Sequence, residues 1–130
     1  MLKLNIKNET SRLRAVVLGI AKNNGPVPKV KDCYDPKSIQ HVLAGTYPKE
    51  GDMYLEMEAV ASILEKYNVE VFRPEIIENY NQIFSRDIAF VIDNKLVRAN
   101  ILPDRDQEIA ALKHVISKID SKNIIELPQE

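Results

Sequence analysis

The stretch NQIFSRD at positions 81–87 gathers Asn81, Ser85, Arg86 and Asp87 around Phe84, and an R-x-x-E pattern follows at Arg105 and Glu108. These side chains handle charge by geometry. A carboxylate accepts a planar guanidinium through two parallel hydrogen bonds, and an arginine offers the same fork to a carboxylate. Asp87 stands at the mouth of an apolar run, Ile88 to Ile92, that reads as a buried strand, so its oxygens would be held rigidly. The same residues allow a plainer arrangement. Asp87 can cap a turn and pair with Arg86 or Arg105 at the surface, and Arg105 and Glu108 can form an i,i+3 pair on the first turn of a helix.

Reactive side chains are scarce elsewhere. Cys33 lies between Asp32 and Tyr34, and the adjacent carboxylate gives it no support as a nucleophile. His41 falls in a long loop, where a substrate contact is one reading. His114 stands beside Lys113 and off the apolar stripe of its helix, which marks a solvated histidine. One cysteine and two isolated histidines build no metal site, and nothing in the sequence calls for a cofactor.

The elements that must position these residues follow from periodicity. Leu2, Leu4 and Ile6 alternate with polar residues, predicting a half-buried strand, and Leu13 to Leu18 predicts a second strand closed by Gly19. Residues 21–51 hold three Gly and four Pro with no sustained period, which predicts a lid or binding loop, interrupted by a short helix from Pro36 to Leu43. Asp52 can cap a helix running to Tyr67, with Met53, Met57, Val60, Leu64 and Tyr67 on its buried stripe. Asn68 suits the left-handed turn at its end, and Val69 to Phe72 is a strand stopped by Pro74. Ile88 to Ile92 and Lys95 to Ile101 form a hairpin turning at Asp93-Asn94. Asp104 or Asp106 can cap a helix through Ile119, buried along Ile109, Leu112, Ile116 and Ile119 with Val115 beside them. Ile124 to Leu127 is the last strand.

Both halves therefore run strand, strand, helix, strand, with the second starting just after NQIFSRD. This is a repeat of architecture rather than of residues. The link from second strand to helix is a few residues in the second half and over thirty in the first, and an insertion confined to one repeat usually builds a binding face.

Composition bounds the partners. The 130 residues fit one domain able to bury a core. Charged residues are 28% of the chain and the net charge is −1, so neither nucleic acid nor an anionic membrane has an electrostatic claim on it. MLKLNIKNE lacks the apolar core of a signal peptide, and no 18-residue apolar run occurs. A cytoplasmic protein with reduced thiols is expected.

The pattern N-x-x-F-[ST]-R-D, with Asn81 six residues before Asp87 and Arg105 and Glu108 following eighteen residues on, resembles the pentein superfamily of guanidine-modifying enzymes. LRAVVLG near the start and Val71-Phe72-Arg73-Pro74 are similar to that family's first strand and its approach to the motif. The likeness is to the amidinotransferase and arginine deiminase branch, and it is weakest in the loop 21–51. It implies a mixed α/β fold, an incomplete pentein-type β/α-propeller of two ββαβ units out of five around an axis that carries the active site. The chain would be one domain, with a first unit over about 1–74 and a second over about 81–130.

The resemblance further implies a guanidino substrate such as arginine. It makes Asp87 the residue that orients the guanidinium and lets Asn81 and Arg105 hold the substrate's carboxylate, with Arg86, Phe84 and Glu108 bracing the site. In the family a cysteine thiolate attacks the guanidinium carbon and a histidine moves protons. Both lie beyond the part this chain matches, so it carries substrate-holding residues without bond-breaking ones. It reads as a fragment of a longer protein, a split subunit or a truncated relic, completed by the rest of the fold or by self-association. Whether the reaction is hydrolysis or transfer is left open. The competing readings are a non-catalytic pentein-like binding or assembly module, and a plain α/β domain whose Arg-Asp pair is structural.

Overall fold

A computed structural model describes residues 1–128. Two small sheets and four helices make it a mixed α/β structure. The first half runs β1 (Ala15–Val17), α1 (Pro36–Ala44), α2 (Glu50–Lys66) and β2 (Glu70–Phe72). The second runs β3 (Ala89–Ile92), β4 (Lys95–Arg98), α3 (Gln107–Ala110), α4 (Lys113–Ile116) and β5 (Ile124–Glu126).

One connection recurs. β1 pairs in parallel with β2 across α2, with Val16 opposite Val71. β4 pairs in parallel with β5 across α3 and α4, with Val97 opposite Ile125. Parallel neighbours need such a crossover, because a tight turn can only return the chain antiparallel. β3 adds to β4 as the antiparallel arm of a hairpin, with Ile92 opposite Lys95. Asp93 takes φ 50° at that turn, as the Asp-Asn pair predicts. Asn68 likewise takes φ 59° after α2.

The core lies between the halves. Ile88, Leu112 and Val115 are buried at its centre, with Val17 and Phe72 from the first sheet and Ile101, Ile109 and Ile116 packed around them. The helical stripe expected in the second half is therefore the one buried. Lys118 adds a cation–π contact 5.0 Å from the centre of the Phe72 ring.

Four local expectations are corrected. Leu2 to Ile6 is extended but forms no strand; Ile6 makes an isolated bridge with Asp93, and the Leu2 N–H donates to the Lys118 carbonyl (2.7 Å). The N-terminal segment thus crosses to the second half instead of joining the first sheet. α2 starts at Glu50, ahead of Asp52, after Lys49, which gives no side-chain cap. Asp52 instead adds negative charge to the first turn, where the backbone N–H groups favour it. The buried face of α2 turns on Ala61, with Met53, Met57 and Leu64 half-buried, while Val60 and Tyr67 are exposed. Finally, the helix expected from residue 104 to 119 is a 3-10 turn at Pro103–Arg105 followed by two short helices. Asp106 has helical backbone angles and gives no side-chain cap. No helix among the described residues is long and apolar enough to cross a membrane.

Candidate functional site

The segment 81–87 is held from below by the end of β1. The Ile20 N–H donates to the Gln82 carbonyl (3.1 Å), and a Cβ on Gly19 would lie 2.0 Å from the Ile83 carbonyl oxygen and 2.5 Å from that of Gln82. Only a residue without a side chain permits that approach. Gln82 is 1% exposed and bonded at both ends of its amide: its Nε2 donates to the Glu75 carbonyl (2.7 Å) and its Oε1 accepts from the Ile77 N–H (2.8 Å). Arg73 ties the same corner, donating from Nη2 to the Gly19 carbonyl (3.1 Å) and to Glu58 (2.7 Å). A buried amide bonded at two points to the 75–77 backbone fixes a loop firmly, since losing either bond would strand polar groups away from water.

Above this base, Asp87 ends a 3-10 turn, Ser85–Asp87, that feeds into β3. Its carboxylate oxygen Oδ2 accepts from Arg105 Nη1 at 3.0 Å. Arg105 also grips Glu108 through Nε (2.6 Å) and Nη2 (3.2 Å), and Nη2 donates to the Phe84 carbonyl (3.2 Å). Four of the five guanidinium N–H donors are used by these bonds. The Arg105 pKa is raised further above its usual range, first by the bond to Glu108, against an opposing effect of burial, and then by Asp87.

The two carboxylates differ in setting. Glu108 is 2% exposed, and the arginine fork compensates its burial. Asp87 keeps 43% of its side chain in contact with solvent. Among the described residues its other oxygen meets Arg86, whose Nε is 3.5 Å away and whose side chain is 88% exposed. With one arginine between two carboxylates, the inner cluster has a formal charge of −1, and its open side belongs to Asp87.

Asn81 lies on the same segment but uses Oδ1 to accept from the Ile83 N–H (3.1 Å), which shapes its own turn. Phe84 is half exposed and contributes its carbonyl to Arg105. The structure thus brings Asp87, Arg105 and Glu108 together, with Arg86 outside them, and gives Asn81 no bond to that cluster among the described contacts. Tyr34 and Tyr80, missed in the sequence, adjoin it. The Tyr34 hydroxyl donates to the Asp104 carboxylate, which holds the phenol pKa above its usual value, and the Tyr80 hydroxyl donates to the Asp104 carbonyl. The long loop is thereby tied to the turn that carries Arg105. A tyrosine midway along a Pro- and Gly-rich insertion was the available signal.

The reactive residues are dispersed. Cys33 Sγ lies 3.4 Å from the Lys29 carbonyl in the loop. His41 Nδ1 is 2.8 Å from Thr46 Oγ1, and His114 Nε2 is 3.0 Å from the Arg73 carbonyl, where it links α4 to the chain leaving β2. Neither histidine bonds to the cysteine in these contacts. Among the described residues no cluster of three or more His, Cys, Asp or Glu is placed to hold a metal. Two shallow hollows, of about 210 Å³ beside Glu75 and Gln107 and about 250 Å³ beside Lys22 and Glu50, exclude Asp87 and Arg105. The cluster can hold a cation against Asp87; among its own members it has no thiol, hydroxyl or imidazole.

No protein-family model matches the sequence, and no curated protein matches it. Solved structures do. The inosamine-phosphate amidinotransferase from Streptomyces griseus matches with a TM-score of 0.70 at 17% identity, over 99% of this chain and 44% of that one. An amidinotransferase of the saxitoxin biosynthetic pathway from Microseira wollei matches with a TM-score of 0.66 at 18% identity, over 97% of this chain and 42% of that one. At such identities the likeness establishes the fold. This chain shares the mixed α/β fold of the matched part of those amidinotransferases and spans less than half their length.

Proposed function

We propose that this chain is the substrate-holding part of an enzyme acting on the amidino group of arginine or a related guanidine. The observation that carries the reading is the state of Asp87. Its carboxylate sits on a turn pinned by Gly19, Gln82 and Ile20, already holds one guanidinium nitrogen at 3.0 Å, and keeps an open side. A site shaped for one planar cation suits another. The amidinotransferase fold supports the same reading.

In this proposal residues 1–74 and 81–130 are two of five units of one fold, and further polypeptide supplies the attacking cysteine and the proton-moving histidine. Asp87 orients the substrate guanidinium. Asn81 and Arg105 take the substrate's carboxylate; for this the Asp87–Arg105 bond opens, each partner accepts the opposite charge of the ligand, and two ion pairs replace one. Glu108 keeps its grip on Arg105 throughout, while Arg86 and Phe84 brace the rim. The acceptor of the amidino group, water or an amine, is set by the missing part. The reading places the protein in the cytoplasm, with Cys33 as a free thiol.

One observation favours a second reading, a non-catalytic binding or assembly module. Asp87, Arg105 and Glu108 satisfy one another as they stand, so the cluster is complete as a brace. The test is Asp87→Ala in the protein carrying both this chain and the polypeptide that completes the fold. A substrate-orienting role predicts a loss in kcat/KM of about a hundredfold or more, equivalent to about 2.7 kcal/mol. An unchanged kcat/KM assigns Asp87 to the brace.

A further inference from the structure

Helix α2 has a second apolar face. Leu55 is 67% exposed and Ile63 58% exposed, and Ala59 lies exposed midway between them. Four residues turn a helix by about 40° beyond a full circle, so Leu55 and Ile63 flank Ala59 on opposite sides of one stripe. Seven residues return to within about 20° of the same direction. Asp52 and Lys66 are each seven residues from Ala59, so both extend this stripe, about 10 Å from its centre. Both are exposed, and among the described residues neither forms an ion pair: the carboxylates so engaged are Glu58, Asp87, Glu108, Asp120 and Glu126, and the cations are Arg73, Arg86, Arg98, Arg105 and Lys122.

The order along the face is acidic, apolar, small, apolar, basic, and it is self-complementary when reversed. We propose that two copies of this chain associate through α2, antiparallel, about a two-fold axis at Ala59. Leu55 of each copy then meets Ile63 of the other, the two Ala59 residues let the backbones approach, and Asp52 of each copy faces Lys66 of the other. Such an isologous contact repeats every interaction twice. The three- and four-residue spacing suits a shallow crossing of about 20°. A second exposed apolar surface, Phe90, Ile92 and Ile125 on the second sheet, has no matching reversal of charge. One helix pair buries less than a standard interface of about 1,200 Å², so dissociation in the micromolar range or weaker is expected.

Sedimentation equilibrium of the full chain, from micromolar to low millimolar, tests this. The expected result is a monomer–dimer equilibrium that Ala59→Arg weakens by about tenfold or more, at the cost of about 1.4 kcal/mol per factor of ten. Asp52→Lys alone and Lys66→Asp alone should each stay monomeric, because each sets like charges against one another at both ends. Mixing those two variants should give a heterodimer, and the double variant should dimerise by itself. All these positions are exposed, and unchanged circular dichroism shows that each variant has folded. A wild-type monomer throughout the range overturns the proposal. So does association that survives Ala59→Arg and both charge reversals, which would pass to the sheet face.

Discussion

The two halves use one crossover and spend it differently. In the second, four residues (99–102) separate β4 from the turn that begins α3's approach, and a hairpin arm covers the strand's other side. In the first, the chain from β1 to α2 includes α1 and a loop tied to Asp104 by Tyr34, while β1 pairs only with β2. The compact half supplies Asp87, Arg105 and Glu108; the looser half supplies the base on which the segment 81–87 rests. Placement of the charged cluster therefore depends on contacts across the joint between halves, and its charge balance on contacts inside one of them.

Breaking the joint should cost most. Gly19→Ala forces a methyl into the carbonyls of Gln82 and Ile83, and a loss of about 3 kcal/mol or more is expected in urea unfolding. Gly51→Ala, in α2 with open space around it, should instead raise stability by up to about 1 kcal/mol. Equal effects at the two glycines would dissolve the contrast.

The ion pairs sharpen it next. Arg105→Ala leaves Glu108 buried without its partner, and a loss of about 2–4 kcal/mol is expected, reduced somewhat because a quarter of the arginine side chain is exposed. Arg98→Ala breaks a bridge to the exposed Glu126 and should cost under about 1 kcal/mol.

The smallest effect belongs to the insertion. Asp35 accepts from the Ser38 side chain and N–H at the start of α1, which lowers its carboxyl pKa below 3.8. A lowered folded value means that its contribution is present above pH 3.8 and is lost as the pH falls through the folded pKa. Amide exchange in α1 should quicken there while exchange in β4 does not. In Asp35→Asn that acid step should vanish.

Much of this was legible in the residues. Val16 and Val17, the Asp93-Asn94 turn and the stripe from Ile109 to Ile119 each carry a local signal that tertiary contacts reinforce. The spacing of Asp87, Arg105 and Glu108 marked them as one group. Their mutual pairing was one of two arrangements the residues allowed; the choice between it and a ligand was hidden, because an arginine fork serves a buried carboxylate and a ligand equally well. Leu2 to Ile6 misled because alternation reports an extended, half-buried chain, and says nothing of where its partner lies. Gln82 and Gly19 were overlooked because their importance arises from a long-range approach of two backbones. The break in the second helix at Ala111 and Leu112 has no proline or glycine to announce it.

The bridge from Ile6 to Asp93 and the bond from Leu2 to Lys118 set an order of events during synthesis. Leu2 is synthesised more than a hundred residues before its partner Lys118, so its segment waits while the intervening chain is added. At about 5–20 residues per second that delay is roughly 6–24 s. A newborn chain spends that interval with this segment unclasped and open to whatever it meets.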